Sequence, residues 1–160
     1  VADKLHKNFF KVSGWSKTEK DCDNVTSYYG KDQLEEFLNN SEILVCLLPL
    51  TEDTENILNE DLFDMLPEGA YVINVARGGC VEEGALLAAL TEGQIAGAAI
   101  DHFREEPLTP ASPFWQIQNL IITPHSAGET AKYEGKLIDL LLENISRLYA
   151  KERELINQVL

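Results

Sequence analysis

Three short segments set an arginine, a carboxylate and a histidine just beyond apolar runs: Asn74-Val-Ala-Arg77-Gly-Gly, Asp101-His-Phe-Arg-Glu-Glu106-Pro and Thr123-Pro-His125-Ser-Ala. Each run reads as a strand, so the three side chains are expected to emerge at one edge of a sheet. In an open α/β sheet, ligands bind beyond the carboxyl ends of the strands. The chemistry that such a trio would support is reduction of a 2-oxo acid. Arg77 suits the substrate carboxylate, because a planar guanidinium binds it bidentately and stays charged. His125 suits the carbonyl oxygen, because an imidazole gives up and regains a proton near neutral pH. Glu106 suits the second ring nitrogen, where a carboxylate favours the imidazolium and fixes its orientation. Taken singly, each has another reading: Arg77 as an ion-pair partner of Glu82 or Glu83, His125 as a cap on the segment that follows, and Glu106 as an exposed loop acid.

The elements that would position these residues alternate along the chain. Ala2 to Lys7 reads as the last turns of a helix, Phe9 to Gly14 as a strand ending at Trp15-Ser16-Lys17, and Thr18 to Gly30 as a loop. Lys31 to Asn40 puts Leu34, Phe37 and Leu38 on one helical face, and Glu42 to Leu48 is a continuous apolar strand stopped by Pro49. The cycle then repeats with a helix over Glu60 to Leu66, a strand over Ala70 to Ala76, a helix over Glu82 to Thr91 and a strand over Ile95 to Asp101. A turn around Pro113 to Gln116 precedes a last strand, Leu120 to Thr123. Unbroken apolar strands alternating with helices predict an α/β, Rossmann-like, doubly wound parallel sheet. A long helix from about Glu129 to Lys151, with Leu137, Leu140, Leu141 and Ile145 on its apolar face, closes the chain. The expected division is 1–128 as a partial dinucleotide-binding domain and 129–160 as a C-terminal helix and tail.

The 160 residues carry a formal net charge of -14, which argues against binding nucleic acid or an anionic membrane surface. Six of the basic residues lie in Lys4 to Lys31 and five in Lys132 to Arg153, so only Arg77 and Arg104 occupy the acidic middle. An arginine isolated there, between Ala76 and Gly78, is placed as if for an anion. No apolar run is long enough to span a bilayer and the first residues lack a signal-peptide core, which makes a cytoplasmic location the expectation. Cys22, Cys46 and Cys80 are odd in number and have no metal spacing, so free thiols and no metal site are expected.

Together the three segments resemble the signature segments of the D-isomer-specific 2-hydroxyacid dehydrogenase family. Trp15-Ser-Lys, Leu47-Leu-Pro-Leu-Thr51 and Ser112-Pro-Phe-Trp115 make the chain most similar to the branch that reduces glyoxylate and hydroxypyruvate. The resemblance implies that Arg77 binds and polarises the substrate, that His125 is the general acid and that Glu106 is its paired carboxylate. It places Asp101 near the nicotinamide carboxamide, although a cap at the end of its strand is the other role open to that residue. It sets Leu48 and Pro49 against the adenine and ribose, with Val75 and Ala76 also on the cofactor side. The family motif more often has valine where this chain has His102, to which no catalytic role is assigned. Family members are usually dimers through this domain, so a homodimer is an expectation.

The end of the first strand bears on cofactor choice. NAD-selective folds put an acid there for the ribose hydroxyls, whereas a basic residue accommodates the 2'-phosphate of NADP. Trp15-Ser16-Lys17-Thr18-Glu19 has no acid until Glu19, so NADPH is favoured over NADH, unless Lys17 and Lys20 are ordinary loop lysines. The family's G-x-G-x-x-G loop and the strand before it are not in the sequence, nor is the family's substrate-binding lobe. The expectation is therefore the C-terminal half of a reductase with weak cofactor binding and impaired activity. The alternatives are a catalytically silent remnant serving as a scaffold or interaction module, and a dehydrogenase for another 2-hydroxy acid.

Overall fold

Short apolar runs separated by helices build two parallel sheets in the computed structural model, which describes residues 1–158. Backbone packing divides the chain into two units, Val1–His125 and Ser126–Leu160. In the first, helix α1 (Ala2–Lys7) precedes β1 (Ser13–Ser16) and β2 (Thr26–Tyr29), which pair in parallel. Helix α2 (Leu34–Asn39) leads to β3 (Ile43–Cys46), α3 (Glu60–Asp64) to β4 (Ala70–Asn74) and α4 (Glu83–Glu92) to β5 (Ile95–Ile100). A 3₁₀ turn over Pro113–Gln116 leads to β6 (Leu120–Ile122). The last four strands form a second parallel sheet in the order β3-β4-β5-β6. This is the Rossmann-like α/β arrangement expected from the alternation. β1 and β3 do not pair with each other, so the two sheets are separate among the described residues.

Two expected elements are corrected. The first strand starts at Ser13 and not at Phe9, because Phe9 adopts a left-handed φ of 68° and donates its N–H to His6 O, closing α1 in a turn. The expected loop from Thr18 to Gly30 contains β2, whose Thr26, Tyr28 and Tyr29 are strand-favouring residues with a parallel partner in β1. Helix ends are also shorter than periodicity suggests, and the long helix, α5 (Tyr133–Tyr149), starts four residues later.

Side-chain caps define the helices that flank the site. Asn59 Oδ1 accepts from Leu62 N at the start of α3, and Glu82 Oε2 accepts from Ala85 N at the start of α4. Gly93, left-handed at φ 84°, ends α4 and turns the chain into β5. Leu38, Phe63, Val72, Leu86, Ile95 and Ile100 are almost wholly buried and form the centre of the core. Register then fixes the working edge. Cys46 pairs with Asn74, Asn74 with Ile100 and Ile100 with Ile122, so β3 to β6 all end on one line. In the second unit, Leu137, Leu141 and Ile145 are exposed along α5. The side chain of Asn144 ties the tail to α5 through both backbone groups of Ile156, at 2.8 and 3.1 Å.

Candidate active site

The turn after β4 is organised by a side chain, Asn74, which is completely buried. Its Oδ1 accepts from Ala76 N at 3.1 Å, its Nδ2 donates to Arg77 O at 3.0 Å and its carbonyl accepts from Asp101 N at 3.0 Å. One residue thereby shapes the loop that carries Arg77 and joins it to the end of β5. Arg77 is exposed, and its Nη1 donates to Ala76 O at 2.6 Å. The ion pair with Glu82 or Glu83 does not form: Glu82 caps α4, and Glu83 Oε1 accepts from Arg104 N at 2.9 Å. The guanidinium therefore has no carboxylate partner among the described residues.

Beyond β5 and β6, Asp101 is buried and accepts at Oδ1 from the hydroxyl of Thr123, while its carbonyl accepts from His125 N at 3.0 Å. That backbone bond helps hold His125 in a left-handed conformation, φ 55°, which for a residue other than glycine costs on the order of 1–3 kcal/mol. The imidazole Nδ1 of His125 lies 2.9 Å from Glu106 Oε2. Glu106 Oε1 accepts in turn from Phe103 N at 3.3 Å. The hydrogen bond from His125, and secondarily that from Phe103, holds the Glu106 carboxyl below its ordinary range. Glu106 is partly exposed, as a loop acid would be, yet it is committed to the histidine ring.

His102 is placed behind this pair. Its side chain is 5% exposed, and neither ring nitrogen has a hydrogen-bond partner. Each unpaired buried polar group of this kind costs about 1–3 kcal/mol. Its ring and that of His125 have centroids 3.7 Å apart at an interplanar angle of 60°. Burial chiefly, and then the neighbouring His125 and Arg77, push the imidazole of His102 towards its neutral form against the pull of Asp101 and Glu106. Nδ1 of His102 lies 3.4 Å from Asp101 Oδ2, but with the ring neutral this contact is no ion pair. Arg77, Asp101, Glu106 and His125 thus gather around one buried ring.

On the other side of Arg77, an open cleft of about 470 Å³ is lined by Leu47 to Leu50 and Val75 to Arg77. It joins Leu48, Pro49, Val75 and Ala76 to the arginine. Trp15, Ser16 and Lys17 sit at the end of β1, where Trp15 Nε1 donates to Gly30 O at 2.8 Å and Ser16 Oγ to Thr18 O at 2.6 Å. Lys17 Nζ pairs with Asp53 at 2.7 Å. A larger open groove, of about 820 Å³, runs beside α1 and the start of β2 and contains none of the expected site residues. No cluster of three or more potential metal ligands occurs among the described residues.

Residues 1–127 match the family model described as the NAD binding domain of D-isomer specific 2-hydroxyacid dehydrogenases. The chain belongs to this family. Among curated proteins, it is 43% identical over 148 residues to a glyoxylate/hydroxypyruvate reductase A of Salmonella paratyphi B, a match covering 92% of this chain and 47% of that protein. It therefore spans about half the length of the curated relatives it matches. A D-isomer specific 2-hydroxyacid dehydrogenase from Xanthobacter autotrophicus Py2, solved in complex with NADPH and MES, superposes with a TM-score of 0.90 at 42% identity, over 99% of this chain and 64% of that one. An NADPH-dependent glyoxylate/hydroxypyruvate reductase from Sinorhizobium meliloti, solved with NADP and sulfate, gives a TM-score of 0.87 at 34% identity, over 98% and 51% of the two chains.

Two residues at the strand ends were not singled out by the sequence. Asn74 was legible only as the polar end of an apolar run, although an asparagine there, two residues before a glycine-flanked loop, is the type that bonds its own backbone ahead. His102 stands where the family motif more often has valine, and only folding shows that it packs against His125.

Proposed function

We propose that the chain is the cofactor-binding portion of an NADPH-dependent reductase that converts glyoxylate or hydroxypyruvate to the 2-hydroxy acid. The observation that carries this reading is the 2.9 Å contact between His125 and Glu106, set at the same sheet edge as an arginine without a carboxylate partner. The residues present fit a nicotinamide dinucleotide. Leu48, Pro49, Val75 and Ala76 offer an apolar wall beside Arg77, and Lys17 offers a cation for a 2'-phosphate. Asp101 would face the nicotinamide carboxamide. When bound, the reduced nicotinamide supplies the hydride.

The chain's own residues would do the rest. Arg77 would take the substrate carboxylate in its fork and lend positive charge to the oxygen on which negative charge develops. His125 would give that oxygen a proton from Nε2. Glu106, accepting from Nδ1, would orient the ring and support the charge of the imidazolium that gives up the Nε2 proton. On this reading the unit Ser126–Leu160 leads back towards a substrate-binding lobe, and α5 would contribute to a homodimer.

Oxidation of NADPH in the presence of glyoxylate or hydroxypyruvate tests the proposal. Turnover should fall about 100- to 1,000-fold in Arg77→Ala, the cost of losing one charge-stabilising group. His125→Ala should lose the proton donor and with it the pH dependence between roughly pH 5 and 8. Undiminished turnover in Arg77→Ala would sink the assignment. A second reading is a silent interaction module, consistent with the exposed apolar residues Leu137, Leu141 and Ile145 along α5. It predicts a folded protein that neither binds NADPH nor consumes it.

A further inference from the structure

His125 is half-exposed and stands on a left-handed backbone, held at its ring by a single hydrogen bond to Glu106. One hydrogen bond fixes the position of Nδ1 but not the plane of the ring. A second contact that can fix the plane is the ring of His102, 3.7 Å away between centroids and inclined at 60°. His102 is poorly explained as packing alone. Among the described residues its ring nitrogens are the only buried side-chain polar atoms without a hydrogen-bond partner, and an apolar residue would fill the same space without them. Its neighbour Asp101 is engaged by the Thr123 hydroxyl.

We propose that His102 is a positioning residue for His125: its flat, buried ring is the wall that holds the His125 imidazole in line with Glu106. The inference rests on reading His125 as the proton donor, and it deepens that reading. The charged and titratable groups around His102 are Arg77, Asp101, Glu106 and His125. Burial, His125 and Arg77 outweigh the two carboxylates and favour the neutral ring. A neutral ring can pack against an imidazolium without charge repulsion. Valine, with no ring, does not offer the plane.

The test is an NMR titration of the 160-residue chain, which reads geometry and needs no turnover, so an inactive protein would count against the proposed function and not against this contact. The Glu106 carboxyl is followed with pH, and the tautomer of His125 is read from its ring nitrogen shifts. In the native chain Glu106 should titrate below the ordinary glutamate value of about 4.3, and His125 should hold its proton on Nδ1. His102→Phe keeps a flat ring and should preserve both signatures. His102→Val should let the Glu106 midpoint rise to the ordinary value and make His125 a mixture of tautomers. If His102→Val does not fold, His102→Leu, which keeps the volume without the flat ring, takes its place with the same expectation. Unchanged signatures in the ringless variants would overturn the proposal, as would their equal loss in His102→Phe.

Discussion

The ammonium of Lys17, just after β1, lies 2.7 Å from Asp53 Oδ2 in the loop beyond β3, so the ends of the two sheets are linked by side chains where their strands share no backbone bond. The hydrogen bond between them raises the Lys17 ammonium and lowers the Asp53 carboxyl from their ordinary values. Both side chains are largely exposed, and such pairs exchange partners readily. A 2'-phosphate would compete with Asp53 for the same lysine. Asp53→Asn should therefore tighten binding of 2',5'-ADP severalfold, and Lys17→Ala should weaken it while leaving ADP unaffected. Calorimetric titration with the two nucleotides checks both, and an unchanged affinity of Lys17→Ala for 2',5'-ADP would remove Lys17 from the cofactor site.

The loop that carries Arg77 also depends on close backbone approach. A Cβ built on Gly78 would come within 2.1 Å of the Phe103 carbonyl carbon and 2.2 Å of its oxygen. Neither atom can swing aside as a side chain would. Gly78→Ala should cost about 3 kcal/mol, at the upper end for overpacking. At about 2–4 °C per kcal/mol for a chain of this size, the melting temperature should drop by roughly 6 to 12 °C. A melt within a degree of the native protein would show that the two loops are not in contact.

How far the sequence reached follows from what each signal encodes. The strands β3 to β6 were legible because they are short, nearly continuous apolar runs, as in Ile43–Cys46 and Ile95–Ile100, although Ile43, Tyr71 and Ile121 are left exposed on one face. β2 was not, because Thr26–Tyr29 is mostly exposed and carries no apolar run. Arg77, Glu106 and His125 were legible as residue types at strand ends. The contact of His102 with His125 was not, because it joins residues 23 positions apart through two loops whose path no local pattern encodes. The Lys17–Asp53 pair was hidden for the same reason.

Acid should destabilise the fold in two stages. His102 is held below its ordinary value in the folded chain, so the unfolded chain takes up its proton first as pH falls below about 6.5, and stability declines from there towards the folded midpoint. Glu106 is also held low. Its contribution is complete above about 4.3 and is lost only as pH falls further, through the folded midpoint. His102→Phe should flatten the first decline and leave the second. Urea melts from pH 7 down to about pH 2 cover both stages, and identical slopes in the two proteins above about pH 4.3 would mean that the fold does not hold His102 below its ordinary value.

The three thiols should react unequally. Cys22 is exposed, whereas Cys46 and Cys80 are buried, and burial chiefly pushes the Cys46 thiol up to about 11. The thiolate is the reactive form. Ellman's reagent at neutral pH should therefore label one cysteine in the folded protein and all three after denaturation. Rapid labelling of a second thiol would mean that the core beside Leu48 opens in solution.

Asn74 offers a way to separate the shape of the Arg77 loop from the charge it presents. Asn74→Ala removes the acceptor for Ala76 N and the donor to Arg77 O in a fully buried place. Each group left unsatisfied there costs about 1–3 kcal/mol. Asn74→Asp keeps an acceptor for Ala76 N but, as a carboxylate, cannot donate to Arg77 O. Both variants should lower stability. If the turn sets the guanidinium on the substrate carboxylate, both should also lower kcat/KM for the 2-oxo acid while Arg77 itself is intact. The discriminating comparison is Asn74→Ala made in the Arg77→Ala background. A site in which Asn74 acts only through Arg77 loses no further kcat/KM there, because the placement of an absent guanidinium no longer matters. A full additional loss would assign Asn74 a contact of its own with the substrate or cofactor.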